Sequence, residues 1–138
     1  MRTRARSERG SASVWAVLVT AGAFTLLLGL VVDGGRVIDS RLASTRTAAQ
    51  AARSGADALS AASVRNGKDE IAVATAINRA EKYLRDAGVT GFARVVGPTV
   101  TVTVTGRSTT VILSVIGIKS FPIEETQSAE AINQGAQP

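Results

Sequence analysis

The longest apolar stretch of the chain lies near its start, where residues 10–32 carry no charged side chain. The run closes on VWAVLVTAGAFTLLLGLVV and is followed by Asp33. As an α-helix it would be roughly 34 Å long, enough to cross a hydrocarbon core of about 30 Å. The pattern therefore predicts a transmembrane helix whose ends are Ser11 and Val32.

The residues before this run predict its direction across the membrane. Residues 1–10 hold four arginines and a single acid, and such a positive flank stays in the cytoplasm. We expect a basic cytoplasmic leader, with everything after residue 32 on the extracytoplasmic side. The alternative is a cleaved secretory signal peptide, but the run exceeds the usual apolar core of about 7–15 residues and no Ala-x-Ala site follows it. A retained anchor is favoured.

A stripe of apolar and small residues continues beyond the predicted span with helical spacing. Its small side chains would let a neighbouring element approach closely, either the chain's own sheet, which is favoured, or another molecule. Asp33 and Arg36 are interpreted as residues that end the span, although pairing or contact with a partner is an alternative. The stripe, at intervals of four and three, is Ile38, Leu42, Thr45, Ala49, Ala52, Ala56 and Leu59.

Gly34 and Gly35 leave the continuity of this helix open. Each glycine costs about 1 kcal/mol relative to alanine in a helix interior, which a long rod tolerates but which permits bending. The pair is a hinge candidate, or simply a tolerated pair at a helix boundary. We expect a continuous or gently kinked rod of about 50 residues rather than two helices.

The remaining pattern predicts one more helix and a small antiparallel sheet. A second amphipathic helix is expected at residues 69–87 after a turn at Asn66-Gly67, with Gly88 as its C-terminal cap. Strict alternation of Val and Thr at 99–105 predicts a half-buried strand, paired with residues 92–96 across Gly97-Pro98.

The last third of the chain is less uniform in its pattern. Residues 109–118 suit a strand by their β-branched content or a short buried helix by their unbroken apolar run. Residues 121–128 are predicted as a polar edge strand, and residues 129–138 as a flexible tail. The predicted class is α+β, with an extracytoplasmic domain at residues 33–128.

Composition removes several function classes. Cysteine and histidine are absent, so thiolate chemistry and the commonest general base and transition-metal ligand are missing. The net charge of +5 arises largely in the leader, and no basic and aromatic residues interleave as in nucleic-acid-binding faces. We expect no catalytic site, cofactor, metal, nucleic acid or small-molecule substrate. Few lysines and many Ala, Arg, Gly and Val indicate a GC-rich bacterial source.

Short strings along the chain resemble a known family. They are RGSA at residues 9–12, VDGGR at 32–36, TAAQAA at 47–52, the Val-Thr repeat and SVIGI at 114–118. The arrangement is similar to the TadE/TadG-like proteins of tight-adherence (Flp-type) pilus systems. The resemblance implies a pilin-like fold, a bacterial membrane location and partners among pilins or pilus-assembly platform proteins, as a homo- or hetero-oligomer. It also favours a short helix within residues 109–118.

One position departs from the pilin pattern. Pilin leaders are cut after a glycine, for which Gly10 is the candidate, and carry glutamate five residues later. Here that residue is Trp15. The departure favours an unprocessed, membrane-retained accessory protein over a filament subunit. The alternative function is a membrane-tethered extracytoplasmic binding module outside any filament; an enzyme is the least favoured class.

Overall fold

The computed structural model describes residues 8–66 and 69–131, with the side chains of 11–61 and 72–131. Most of the predicted leader, the glycine of the predicted Asn66-Gly67 turn and the last seven residues lie outside the described residues. Two helices precede a three-stranded sheet. The elements are α1 (Glu8–Asn66), α2 (Asp69–Asp86), β1 (Thr90–Val96), β2 (Thr99–Thr109), a 3-10 turn (Leu113–Ile116) and β3 (Ser120–Glu130).

The helix α1 is a single rod of 59 residues. At about 1.5 Å per residue it is roughly 88 Å long. It passes through Gly34 and Gly35 without interruption, which confirms one continuous or gently kinked rod rather than two helices. All three prolines of the chain lie beyond α1, so each backbone amide that a helical hydrogen bond requires is present.

The core lies where the second half of α1 packs against α2 and the sheet. The second half of α1 lies close to its neighbours because its buried residues are small: Ala48, Ala51 and Ala52 are fully buried. A Cβ atom added at Gly55 would lie 2.9 Å from Val100 Cγ1 and 3.1 Å from the Ala76 carbonyl oxygen. Only glycine fits there without displacing the sheet or α2.

The helix α2 confirms the second predicted helix and its cap. Its buried face is Ala72, Ala76, Ala80 and Leu84. Gly88 adopts a left-handed φ of 67°, and the following amide of Val89 donates to the Leu84 carbonyl at 2.9 Å. This closes the last turn of the helix and redirects the chain into β1.

The sheet is an antiparallel meander in the order β1-β2-β3. Val100, Val102 and Val104 of β2 face the core and are almost fully buried, as the alternating pattern predicted. On the other face, threonines pair across strands, with Thr101 hydrogen-bonded to Ser128 and Thr103 to Thr126, both at 2.9 Å. The predicted strands at 92–96 and 99–105 are confirmed, and β3 is an edge strand as expected.

All three strands are longer than the sequence-based expectation, since β1 begins at Thr90, β2 ends at Thr109 and β3 ends at Glu130. In the ambiguous stretch 109–118, Thr109 ends β2 and a 3-10 turn of four residues follows, so the short-helix alternative is closer than the strand. The predicted tail begins too early, because β3 continues to Glu130. Ala129 lies opposite Val100, and the amide of Ala131 donates to the Pro98 carbonyl at 2.8 Å.

Candidate functional site at the junction of rod and sheet

Asp33 is the one acidic side chain among the nearly fully buried residues of the described structure, with 1 % of its surface exposed. Its carboxylate accepts three backbone hydrogen bonds from the loop between β2 and β3. The amide of Val111 donates to Oδ1 at 2.9 Å, and those of Ile112 and Leu113 donate to Oδ2 at 3.0 and 2.8 Å. Asp33 therefore ties the loop to α1 at the end of its uncharged run.

These hydrogen bonds also favour the ionised form of the Asp33 carboxyl. The amides of Leu113 and Val111 lower the pKa of its carboxyl below the ordinary value of 3.8, against the opposing effect of burial. The Ile112 amide and the positive charge of Arg36 act in the same lowering direction. Asp33 is thus ionised at neutral pH, and its hydrogen-bond partners are the loop amides rather than Arg36.

The loop has an internal hydrogen-bond network of its own. The amide of Thr110 donates to the Lys119 carbonyl at 3.0 Å, and that of Ile118 donates to the Leu113 carbonyl at 3.1 Å. The Thr110 hydroxyl donates to the Ile118 carbonyl, and the Ser114 hydroxyl to the Val111 carbonyl. Gly117 closes the 3-10 turn in a left-handed conformation with φ of 94°. These bonds give residues 110–118 a defined shape.

A second contact joins the loop to α1 one turn before Asp33. A Cβ atom added at Gly29 would lie 2.8 Å from Ile112 Cγ2 and 3.4 Å from Leu113 Cδ2. Gly29 is buried, whereas the other described side chains from Ser11 to Val32 are exposed. The loop consequently reaches past Asp33 and covers α1 at Gly29, while the neighbouring residues of the last turn stay exposed.

The exposed side of the loop is apolar. Val115 exposes 86 % of its surface, and Val111, Ile116 and Ile118 each expose two fifths or more. Together with the two buried contacts to α1, this makes the junction of Asp33, Gly29 and residues 110–118 the most distinctive site of the described chain.

The uncharged half of α1 also lacks a protein neighbour over most of its surface. Only 6 % of its most apolar 18-residue window is buried inside the protein. A core helix of a water-soluble protein would be largely covered. By length and composition this helix can cross a membrane.

The structure locates the residues singled out in the sequence. Gly10 lies in the first turn of α1, Ser11 and Val32 lie within the helix, and Gly34 and Gly35 follow Asp33. A Cβ atom added at either of these two glycines would meet nothing within 4 Å, so no packing contact requires glycine there. Their role as a hinge stays a prediction.

The packed face of α1 is offset from the predicted stripe. Of its seven members, Ala52, Ala56 and Leu59 are buried, whereas Ile38 and Leu42 are exposed; Thr45 and Ala49 are half-buried. The Thr45 hydroxyl donates to Glu125 Oε2 of β3 at 3.4 Å. Because α1 contacts α2 on one side and the sheet on the other, its buried surface includes Ala48, Ala51 and Gly55, outside the single stripe.

Sequence reasoning missed the bonds of Asp33 to the loop and the contact at Gly29. The sequence signal was a lone acid closing an apolar run and a later apolar stretch. In the structure this stretch begins its 3-10 turn at Ile112 without a side-chain cap. Such a loop start leaves amides that need an acceptor. Spacing alone does not show that residues about 80 positions apart meet.

Within residues 8–66 and 69–131, no group of three or more acidic side chains is arranged to hold a metal ion. No protein-family model, curated protein or solved structure was found to match the chain. The geometry of the junction and of the two halves of α1 is therefore the basis for any functional proposal.

Proposed function

We propose that this chain is a membrane-anchored accessory component of a tight-adherence (Flp-type) pilus or a related secretion machine. It acts through protein contacts and carries out no chemistry. Its N-terminus lies in the cytoplasm of a bacterial cell, and the α+β head formed by residues 33–131 lies outside.

The observation that carries the proposal is the division of α1. One uninterrupted helix has an uncharged, uncovered first half and a second half packed onto α2 and a three-stranded sheet. This arrangement agrees with the pilin-like fold implied by the resemblance to TadE/TadG-like proteins. An uncovered apolar helix is stable in lipid, where it satisfies its own backbone hydrogen bonds.

The orientation rests on the sequence. Four arginines precede the span, and their preference for the cytoplasmic side directs the head outward. Exposed Ile38 and Leu42 extend the apolar side of the rod beyond Asp33 and offer a contact surface for a pilin or a platform protein.

Intact-mass measurement and N-terminal sequencing of the protein recovered from membranes test the anchor. A start at Met1 or Arg2 supports the retained anchor, and a start at Ser11 supports pilin-type processing and entry into the filament. A start beyond Val32 would mean release from the membrane and would contradict the proposal.

Deletion of the gene in the source bacterium tests the pilus assignment. We expect fewer surface pili and weaker adherence, both restored by the wild-type gene. Purification in mild detergent should recover pilins or assembly-platform proteins with the chain. Normal piliation together with recovery of a lone monomer would support the tethered binding module instead.

A further inference from the structure

We propose that the loop of residues 110–118 is a second membrane contact, inserted into the extracytoplasmic leaflet beside α1. The proposal rests on the anchoring half of the proposed function, namely insertion of residues 11–32 into the bilayer. It adds that the head is attached to the membrane at two points, through α1 and through the loop of residues 110–118.

The depth of the loop follows from its contacts with α1. Ile112 and Leu113 lie against Gly29, three residues before the end of the uncharged run at Val32. Three residues correspond to roughly 4.5 Å along the helix axis. Wherever α1 crosses the hydrocarbon boundary near Val32, this part of the loop lies at or below that boundary.

The side chains that point away from the protein suit lipid. Val111, Val115, Ile116 and Ile118 are exposed and lie within eight residues of one another. Such a cluster is the kind of apolar patch that marks a protein or membrane contact. The cluster lies next to the membrane span. We therefore infer that it contacts the bilayer that the span crosses, and not a protein partner, because lipid is already present at this level.

The polar backbone of the loop is compatible with this environment. Irregular backbone is tolerated at membrane depth only where its polar groups have partners within the protein. The amides of Val111, Ile112 and Leu113 have the Asp33 carboxylate, and the amides of Gly117 and Ile118 have carbonyls of the loop itself. Asp33 thereby satisfies the three amides that would otherwise be hardest to bury.

Basic residues lie where lipid phosphates are expected. Lys119 leaves the loop opposite Thr110, and Arg36 lies one helical turn beyond Asp33; both side chains are exposed. Long Lys and Arg side chains near the end of a membrane span reach to the interface with water. The consequence is a head held at a defined tilt by two membrane contacts, with Gly34 and Gly35 between the span and the rest of the rod.

The test uses the full chain in liposomes and exploits its lack of cysteine, since each single-cysteine variant then carries one thiol. Val115→Cys and Ile116→Cys place an environment-sensitive fluorophore on the loop. Val17→Cys, exposed in the span, is the positive control. Phe92→Cys, exposed on β1, is the matched control on the head.

Phe92 is a suitable control because it lies far from the junction. The strand pairing shows the level of Phe92 along α1. Phe92 pairs with Thr103 of β2, and the next residue of β2, Val104, pairs with Glu125 of β3. Glu125 accepts a hydrogen bond from Thr45 of α1. Thr45 is twelve residues beyond Asp33, roughly 18 Å along α1.

We expect probes at positions 115 and 116 to show blue-shifted emission and loss of fluorescence with nitroxide-labelled lipids, as at position 17, with protection from aqueous iodide. The probe at position 92 should respond only to iodide. Quenching by iodide at both loop positions would overturn the proposal. Protection from both iodide and the nitroxide-labelled lipids would also overturn it, because the loop would then be covered by protein and not by lipid. If the probe at position 17 is also insensitive to the lipid quencher, residues 11–32 are not inserted in the bilayer, and the proposed membrane anchor is itself contradicted.

Discussion

The two halves of α1 belong to one helix but differ in how much of their surface other parts of the protein cover. Leu28, in the first half, exposes 62 % of its surface, whereas Leu59, in the second half, exposes 7 %. The first half carries large apolar side chains with almost no protein neighbours, and the second half carries alanines and a glycine beneath a sheet and a second helix. Side-chain size therefore separates a surface suited to lipid from one suited to close contact between backbones.

The contrast between the halves has a physical cause. In a membrane, lipid would fill the space around large apolar side chains, so Leu, Val and Phe would be stable there without complementary protein neighbours. Within the head, α2 and the sheet must both lie against the same rod, and only residues as small as those near Gly55 leave room for them. A substitution of one residue type should consequently have different effects in the two halves.

The largest difference is expected for Leu59→Ala compared with Leu28→Ala. Removing a buried leucine side chain leaves a cavity and should lower the free energy of unfolding of the head by about 2–5 kcal/mol. Leu28→Ala should leave it unchanged, because that side chain has no part in the head. Urea unfolding of the full-length protein in mild detergent, followed by circular dichroism, measures both; equal losses would break the distinction between the halves.

The next largest difference is expected for Gly55→Leu compared with Gly22→Leu. A side chain at position 55 would collide with Val100 and Ala76, so overpacking should cost the head about 1–3 kcal/mol. At Gly22 a Cβ atom meets nothing within 4 Å, and the larger residue should be tolerated. The same unfolding experiment applies, and an undisturbed Gly55→Leu variant would contradict the close approach of sheet and rod.

A smaller and local effect is expected for Asp33→Asn at the boundary between the halves. Because folding lowers the pKa of the Asp33 carboxyl, the stabilisation of the loop by its three hydrogen bonds is fully present above the ordinary value of 3.8. It is lost as pH falls through the lower pKa of the folded state. The protection factors for hydrogen exchange at the amides of Val111, Ile112 and Leu113, taken relative to the intrinsic exchange rate at each pH, should therefore fall at acidic pH in the wild type.

The Asp33→Asn variant should show low protection factors at these amides already at neutral pH, and these factors should not fall further when the pH is taken below the unfolded pKa of the wild-type carboxyl. Asp39→Asn, two turns along the same helix and exposed, is the matched control and should exchange as the wild type does. Unchanged protection in Asp33→Asn would show that the loop is held by its own bonds alone.

The smallest effect on stability is expected for Ile38→Ser and Leu42→Ser. Both residues are exposed although they belong to the predicted stripe, so each substitution should change the free energy of unfolding by no more than about 0.5 kcal/mol. If they contact a pilus partner, co-purification should weaken while the head stays folded. A loss of stability comparable with Leu59→Ala would place them in the internal core instead.

Much of the fold was predictable because it follows local periodicity. Alternating valines and threonines predicted β2 and its buried face, and the glycine at position 88 predicted the end of α2. The stripe along α1 was only partly correct: a single 3.5-residue pattern cannot show that the rod packs on two elements at once. Ile38 and Leu42 satisfy the spacing, but they lie in the part of α1 that is not yet covered by α2 and the core.

What the sequence alone determined is the uncharged run, its positive flank, the α+β class and most element boundaries, since these depend on residues close together in the chain. Only the tertiary structure decided that Asp33 binds the amides of residues 111–113, that Gly29 receives Ile112, and which side of α1 is buried. These contacts join positions about 80 residues apart. They depend on how the sheet folds back along the rod, which no local pattern records.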